Sequence, residues 1–118
     1  MYSEKLLDHF ENPRNGGELP AADTRAVVHN PVCGDILELA ITINCGRVDQ
    51  ARFLAKGCVP LMACSSVLAE MIEGLTLDQL SSLSKTEFLQ HTGPLPQASG
   101  HAAEMAIQAV RQLLENSR

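Results

Sequence analysis

The hydrophobic period of this chain changes once, at Gly57, and that change restricts the fold more than any other feature. From Ile36 to Ile43 the pattern alternates, with Leu37, Leu39, Ile41 and Ile43 on one side and Glu38 and Thr42 on the other, as a half-buried strand requires. Asn44-Cys45-Gly46-Arg47 reads as a hairpin turn leading into a second strand from Val48 to Ala55. Ala26 to His29 supplies a third. Beyond Gly57 the apolar spacing becomes helical. Pro60 suits the first helical position, where its missing N–H costs nothing. Leu61, Cys64, Leu68, Met71 and Ile72 mark one face, and Gly74 provides a stop.

Thr76 to Gln79 and Ser84 to Glu87 have capping-box spacing, which predicts two short helices. Pro94 and Pro96 interrupt before a last helix from about Gly100 to Glu115, burying Ala102, Ala106, Ala109, Val110, Leu113 and Leu114. Residues 3–11 read as a short opening helix with Leu6, Leu7 and Phe10 on one face, broken by Asn12-Pro13 and Gly16-Gly17. Strands first and helices afterwards define an α+β fold: a three-stranded antiparallel sheet near the N-terminus, packed against C-terminal helices. At 118 residues the chain is expected to form a single domain over 1–118.

Hydrophobic residues at 45% support a packed core, and aromatics at 3% leave it to aliphatic side chains. The net charge of −5 argues against nucleic acid or an anionic membrane as partner. No apolar run approaches a bilayer span, and Met1-Tyr2-Ser3-Glu4-Lys5 has none of the regions of a signal peptide. The expected location is the cytoplasm, where unpaired cysteines serve metal binding, catalysis or packing.

Four cysteines are present. Cys33, in Asn30-Pro31-Val32-Cys33-Gly34-Asp35, falls in a turn with a carboxylate two residues on. A thiolate beside a carboxylate suits zinc, iron or an iron–sulfur cluster, although a plain turn cysteine would look the same. Cys58 precedes a helix, whose N-terminal dipole is expected to favour its thiolate. Cys64 belongs to an apolar helix face and reads as core, with a reserve-ligand role as the alternative. Cys45 reads as an exposed turn residue. His101 opens the last helix and is a candidate ligand; Ser99 reads as an N-cap. His9, His29 and His91 are treated as structural. There is no phosphate-binding glycine loop and no nucleophile elbow, so no catalytic residue is named and the chain is not read as an enzyme.

Together these residues resemble a known family. Tyr2 to Asn15 (YSEKLLDHFENPRN) resembles the opening of U-type iron–sulfur cluster scaffold proteins, the IscU and NifU N-terminal family. Asn30 to Asp35 resembles their first ligand loop, and Ala51-Arg52-Phe53 with Gly57-Cys58 their second. The resemblance implies a non-enzymatic scaffold or carrier that receives sulfur from a cysteine desulfurase. It would build a transient [2Fe–2S] cluster and pass it to apo iron–sulfur proteins. By position Cys33, Asp35 and Cys58 fill three of the family's four ligand roles.

The third family cysteine has no counterpart. Leu95-Pro96-Gln97-Ala98-Ser99-Gly100-His101-Ala102 places either Ser99 or Ala102 at its position. A four-ligand set then requires His101 beside Cys33, Asp35 and Cys58, the alternatives being Ser99 or Cys64. This set of sulfur, nitrogen and oxygen donors would also hold Zn²⁺. The resemblance therefore leaves open a zinc-binding or metal-free relative acting through protein binding, or a sulfur-accepting partner of the desulfurase. The same segment departs from the family's Leu-Pro-Pro-Val-Lys motif, so docking of a specialised Hsp70 chaperone does not carry over.

Overall fold

A computed structural model describes residues 2–30 and 34–117. Helix α1 (Glu4–Glu11) is followed by strands β1 (Thr24–Asn30), β2 (Asp35–Asn44) and β3 (Arg47–Lys56). Helices α2 (Val59–Ile72), α3 (Leu77–Ser81), α4 (Lys85–Thr92) and α5 (Gly100–Asn116) complete the chain, with a 3₁₀ turn at Gln97–Ser99 leading into α5. The α+β architecture read from the sequence is the one observed.

The strands form one antiparallel sheet in the order β1-β2-β3. Cys45 and Gly46 make the two-residue turn between β2 and β3, with φ of 54° and 75°. Positive φ at both central positions gives the turn twist that matches the strands. The alternation of β2 holds through Leu37, Leu39 and Ile41, all buried. It ends at a register shift between Thr42 and Ile43, which leaves Ile43 only half-buried. Helices α2 and α5 cover the inward face, α2 against β3 and α5 against β1 and β2.

Both sheet edges are closed by polar contacts. Gln112 Oε1 accepts from the Val27 N–H at 2.7 Å, and Asn116 Nδ2 donates to the Arg25 carbonyl at 2.7 Å. On the other edge, Gly17 donates to the Phe53 carbonyl while the Phe53 N–H donates to Asn15. Open edges invite pairing with other chains, and here side chains or a returning loop occupy them.

Helix α2 begins at Val59 with Pro60 second, and it is buried almost all round, not on one face alone. A helix enclosed by β3, α1 and α5 has little surface left for polar residues, which is why Ser65 and Ser66 are fully buried. Thr76 and Gln79 complete a reciprocal capping box on α3, and Ser84 Oγ accepts from the Glu87 N–H to cap α4.

The expected face of α1 is corrected. Leu6 and His9 are buried, while Leu7 and Phe10 are 45% and 37% exposed. The helix is turned by the polar contact it makes with α2: His9 Nδ1 lies 2.7 Å from Ser66 Oγ, which also accepts from the Arg14 N–H at 2.8 Å. His9 is thus structural, as expected. Burial holds its imidazole below the ordinary 6.5, and the Arg14 charge adds to this while Glu70 opposes it.

Candidate metal centre

Three elements deliver the site. Asp35 is the first residue of β2. Cys58 occupies the N-cap position of α2. His101 is the second residue of α5. Strand pairing sets Ile36 opposite Lys56, so the start of β2 and the end of β3 lie side by side and the chain turns into α2 there.

Gly57 permits this approach. Its φ is 144°, and a Cβ placed on it would stand 3.1 Å from the Asp35 Cα. Only glycine combines that backbone with so close a neighbour. Its part was not anticipated, although a glycine directly before the Cys58 turn was a visible signal.

The donors meet at one point. Cys58 Sγ donates to Asp35 Oδ2 at 3.2 Å and lies 3.3 Å from His101 Nε2. His101 Nε2 is 3.1 Å from the same Asp35 Oδ2. One sulfur, one nitrogen and one carboxylate oxygen therefore fall within 4.8 Å of one another. Asp35 is buried, its side chain 3% exposed, whereas the His101 side chain is 26% exposed. The Cys58 N–H also donates to Asp35 Oδ1 at 3.3 Å, which fixes the carboxylate.

Of the predicted site residues, Asp35, Cys58 and His101 are brought together. Cys33 lies outside the described residues. The helix mouth does not dominate the Cys58 thiol as expected. Burial pushes its pKa above the ordinary value and Asp35 pushes the same way, while the Leu61 N–H pulls down without overcoming them. In this arrangement the thiol is a proton donor to the carboxylate. A bound cation would replace that proton and reverse the balance.

The alternative ligands do not join. Cys64 is completely buried, and burial raises its thiol to about 12. Ser99 is 5% exposed and shares a hydrogen bond of 2.8 Å with the Tyr2 hydroxyl. It stands at the N-cap position of α5, as expected, but makes no side-chain capping bond there. Ala102 is fully buried, and as a serine and an alanine neither position carries a thiol. Cys45 is exposed at the β2–β3 turn, as read from the sequence.

Beside His101 an open groove of about 400 Å³ runs between α4 and α5, lined in part by Leu89, Leu95, Pro96 and Glu104. Of the three site residues only His101 lines it. Among the described residues no helix is long and apolar enough to cross a membrane.

The chain is similar to two iron–sulfur cluster assembly scaffold proteins IscU of Archaeoglobus fulgidus, 35% identical over 114 residues. The match spans 97% of this chain and 74% of each relative. IscU of Escherichia coli K12 is also 35% identical, over 93% of this chain and 88% of its own length. Among solved structures, a protein of Fervidobacterium islandicum described as an assembly scaffold for the SUF system shares the fold. Its TM-score is 0.74 at 16% identity, with 96% of both chains covered. The N-terminal NifU-like protein of Brucella abortus gives 0.68 at 22% identity, covering 96% of this chain and 94% of that one. The family model described as the NifU-like N terminal domain matches residues 1–117. The chain belongs to the NifU-like N-terminal domain family.

Proposed function

We propose that this protein is a scaffold on which iron and sulfide are joined into a [2Fe–2S] cluster and handed to apo-proteins, without turning over a substrate of its own. The observation that carries this reading is the meeting of Cys58, His101 and Asp35 at one partly open point, in a chain whose relatives are named as cluster scaffolds. Cys33 is the fourth ligand in this account, two residues before Asp35 in the chain. Iron and sulfide are cargo. A buried carboxylate and an imidazole in place of two thiolates would hold them less firmly than four sulfurs, and a donor must release what it carries.

The sulfur source is a cysteine desulfurase and the recipients are apo iron–sulfur proteins of the cytoplasm. Anaerobic incubation with ferrous iron, cysteine, a desulfurase and a dithiol reductant that converts its persulfide sulfur to sulfide, followed by an apo-ferredoxin, tests the whole sequence. Sulfide-to-iron charge-transfer absorption that appears on the scaffold and then moves to the ferredoxin supports it. A folded protein that gains no such absorption overturns it.

A second reading follows from the donor set itself. One sulfur, one nitrogen and one oxygen within 4.8 Å suit a single tetrahedral zinc ion. Stoichiometric zinc in protein purified without oxygen, together with no cluster uptake, would favour a zinc-bound relative that acts by binding other proteins.

A further inference from the structure

We infer that Tyr2 is a positioning residue for His101, acting through Ser99. This rests on the reading of His101 as a ligand. Residues 2 and 99 are joined by a hydrogen bond of 2.8 Å between the Tyr2 hydroxyl and Ser99 Oγ. Ser99 stands where α5 begins, and a serine there ordinarily spends its hydroxyl on the helix N–H groups. It makes no such bond here. With φ of −105° and ψ of 3° Ser99 lacks the extended backbone of a capping residue, and its hydroxyl instead ties the N-terminal segment to the turn that leads into His101.

The stretch between Ser99 and the ligand is short and tightly wound. The Ser99 N–H donates to the Pro96 carbonyl at 2.8 Å, and the Gly100 N–H donates to Gln97. His101 follows directly. Two covalent steps of about 3.8 Å each therefore separate the hydrogen-bonded residue from the ligand. Metal–ligand distances tolerate only about ±0.2 Å, so the placement of this turn matters to the site.

The N-terminal segment is itself held. Ser3 Oγ donates to the Thr92 carbonyl at 2.5 Å and accepts from the Leu6 N–H at 3.1 Å, capping α1. A Cβ on Gly93 would stand 2.7 Å from the Ser3 Cβ, at a φ of 80° that also favours glycine. Tyr2 packs its ring against the core, so its hydroxyl is presented from a supported side chain. Two ties, at Thr92 and at Ser99, thus bracket the segment from Gly93 to Gln97 that leads to His101.

The test uses the full chain with Tyr2→Phe, which keeps the ring and removes the hydroxyl, and Ser99→Ala, which breaks the same bond from the other side. In the metal-free protein the His101 ring Cε1–Hε1 resonance is expected to move and broaden in both variants, while those of His29 and His91 stay in place. Zinc titration is expected to weaken by roughly tenfold in each variant, equally in the double variant, and not further in a His101→Ala background. An unmoved His101 resonance in folded Tyr2→Phe and Ser99→Ala overturns the inference, as does equal weakening with His101 already removed. If the parent protein takes up no zinc, the zinc reading alone fails, and the ring resonance decides the role of Tyr2.

Discussion

A Cβ built on Gly57 would stand 2.1 Å from Asp35 Oδ1 and 2.6 Å from its Cγ. The buried carboxylate occupies the space that any other residue would need. Gly57→Ala is therefore expected to displace Asp35 from Cys58 and His101. It also forces alanine to a φ of 144°, a strain of about 1–3 kcal/mol. Denaturant unfolding should show that loss, and zinc titration of the folded fraction should show weakened uptake. Unchanged stability and affinity would mean that the close approach is not present in solution.

The described thiols should differ sharply in alkylation rate. Cys45 is exposed and should react first. Cys58 is half-buried with its thiol pushed up, so it should react more slowly, because the thiolate is the attacking species. Cys64, buried and raised to about 12, should react only on unfolding. Iodoacetamide labelling followed by peptide mass mapping checks the order. Rapid labelling of Cys64 in the native protein would contradict the packing.

The α1–α2 junction should be sensitive to loss of one hydroxyl. Ser66→Ala leaves the Arg14 N–H and the His9 ring without the partner they share. Stranding buried polar groups costs about 1–3 kcal/mol, and a urea midpoint should fall accordingly. A neutral substitution would show that water reaches the junction.

His9 gives the fold a pH dependence with a defined sign. Its folded pKa lies below 6.5, chiefly through burial, so protons bind the unfolded chain more readily. Its contribution is complete above 6.5 and is lost as pH falls from there through the folded value. Arg14 and Lys5 act in the same direction as burial, while Glu70 and Asp8 oppose it. Urea midpoints measured from neutral pH down to about pH 5 should fall more steeply in the parent than in His9→Gln. Parallel profiles would place the imidazole in solvent.

What could be read along the chain was whatever local pattern decides. The alternation of β2, the turn at Cys45-Gly46 and the cap at Thr76 depend on near neighbours, and their boundaries lie within a few residues of expectation. The inward turn of His9 depends on Ser66, 57 positions away, and no local periodicity encodes it. The same holds for Ser99, whose partner is 97 positions away. The 3₁₀ turn at Gln97–Ser99 takes its backbone out of the capping conformation, and its hydroxyl is left for the tertiary partner. At the site, motif resemblance located Asp35, Cys58 and His101, whereas the upward shift of the Cys58 thiol was missed because a helix terminus was weighed without the burial of the sulfur and the carboxylate 3.2 Å from it. The role of Gly57 became visible only once β2 and β3 were paired.

The central claim is that His101 takes the place of a missing thiolate in holding cluster iron. Pulsed electron paramagnetic resonance of the reconstituted, reduced cluster, with ¹⁵N placed selectively in histidine, tests it most directly. The account predicts a strong hyperfine coupling from one imidazole nitrogen that vanishes in His101→Ala. A cluster of normal yield with no histidine coupling would contradict it.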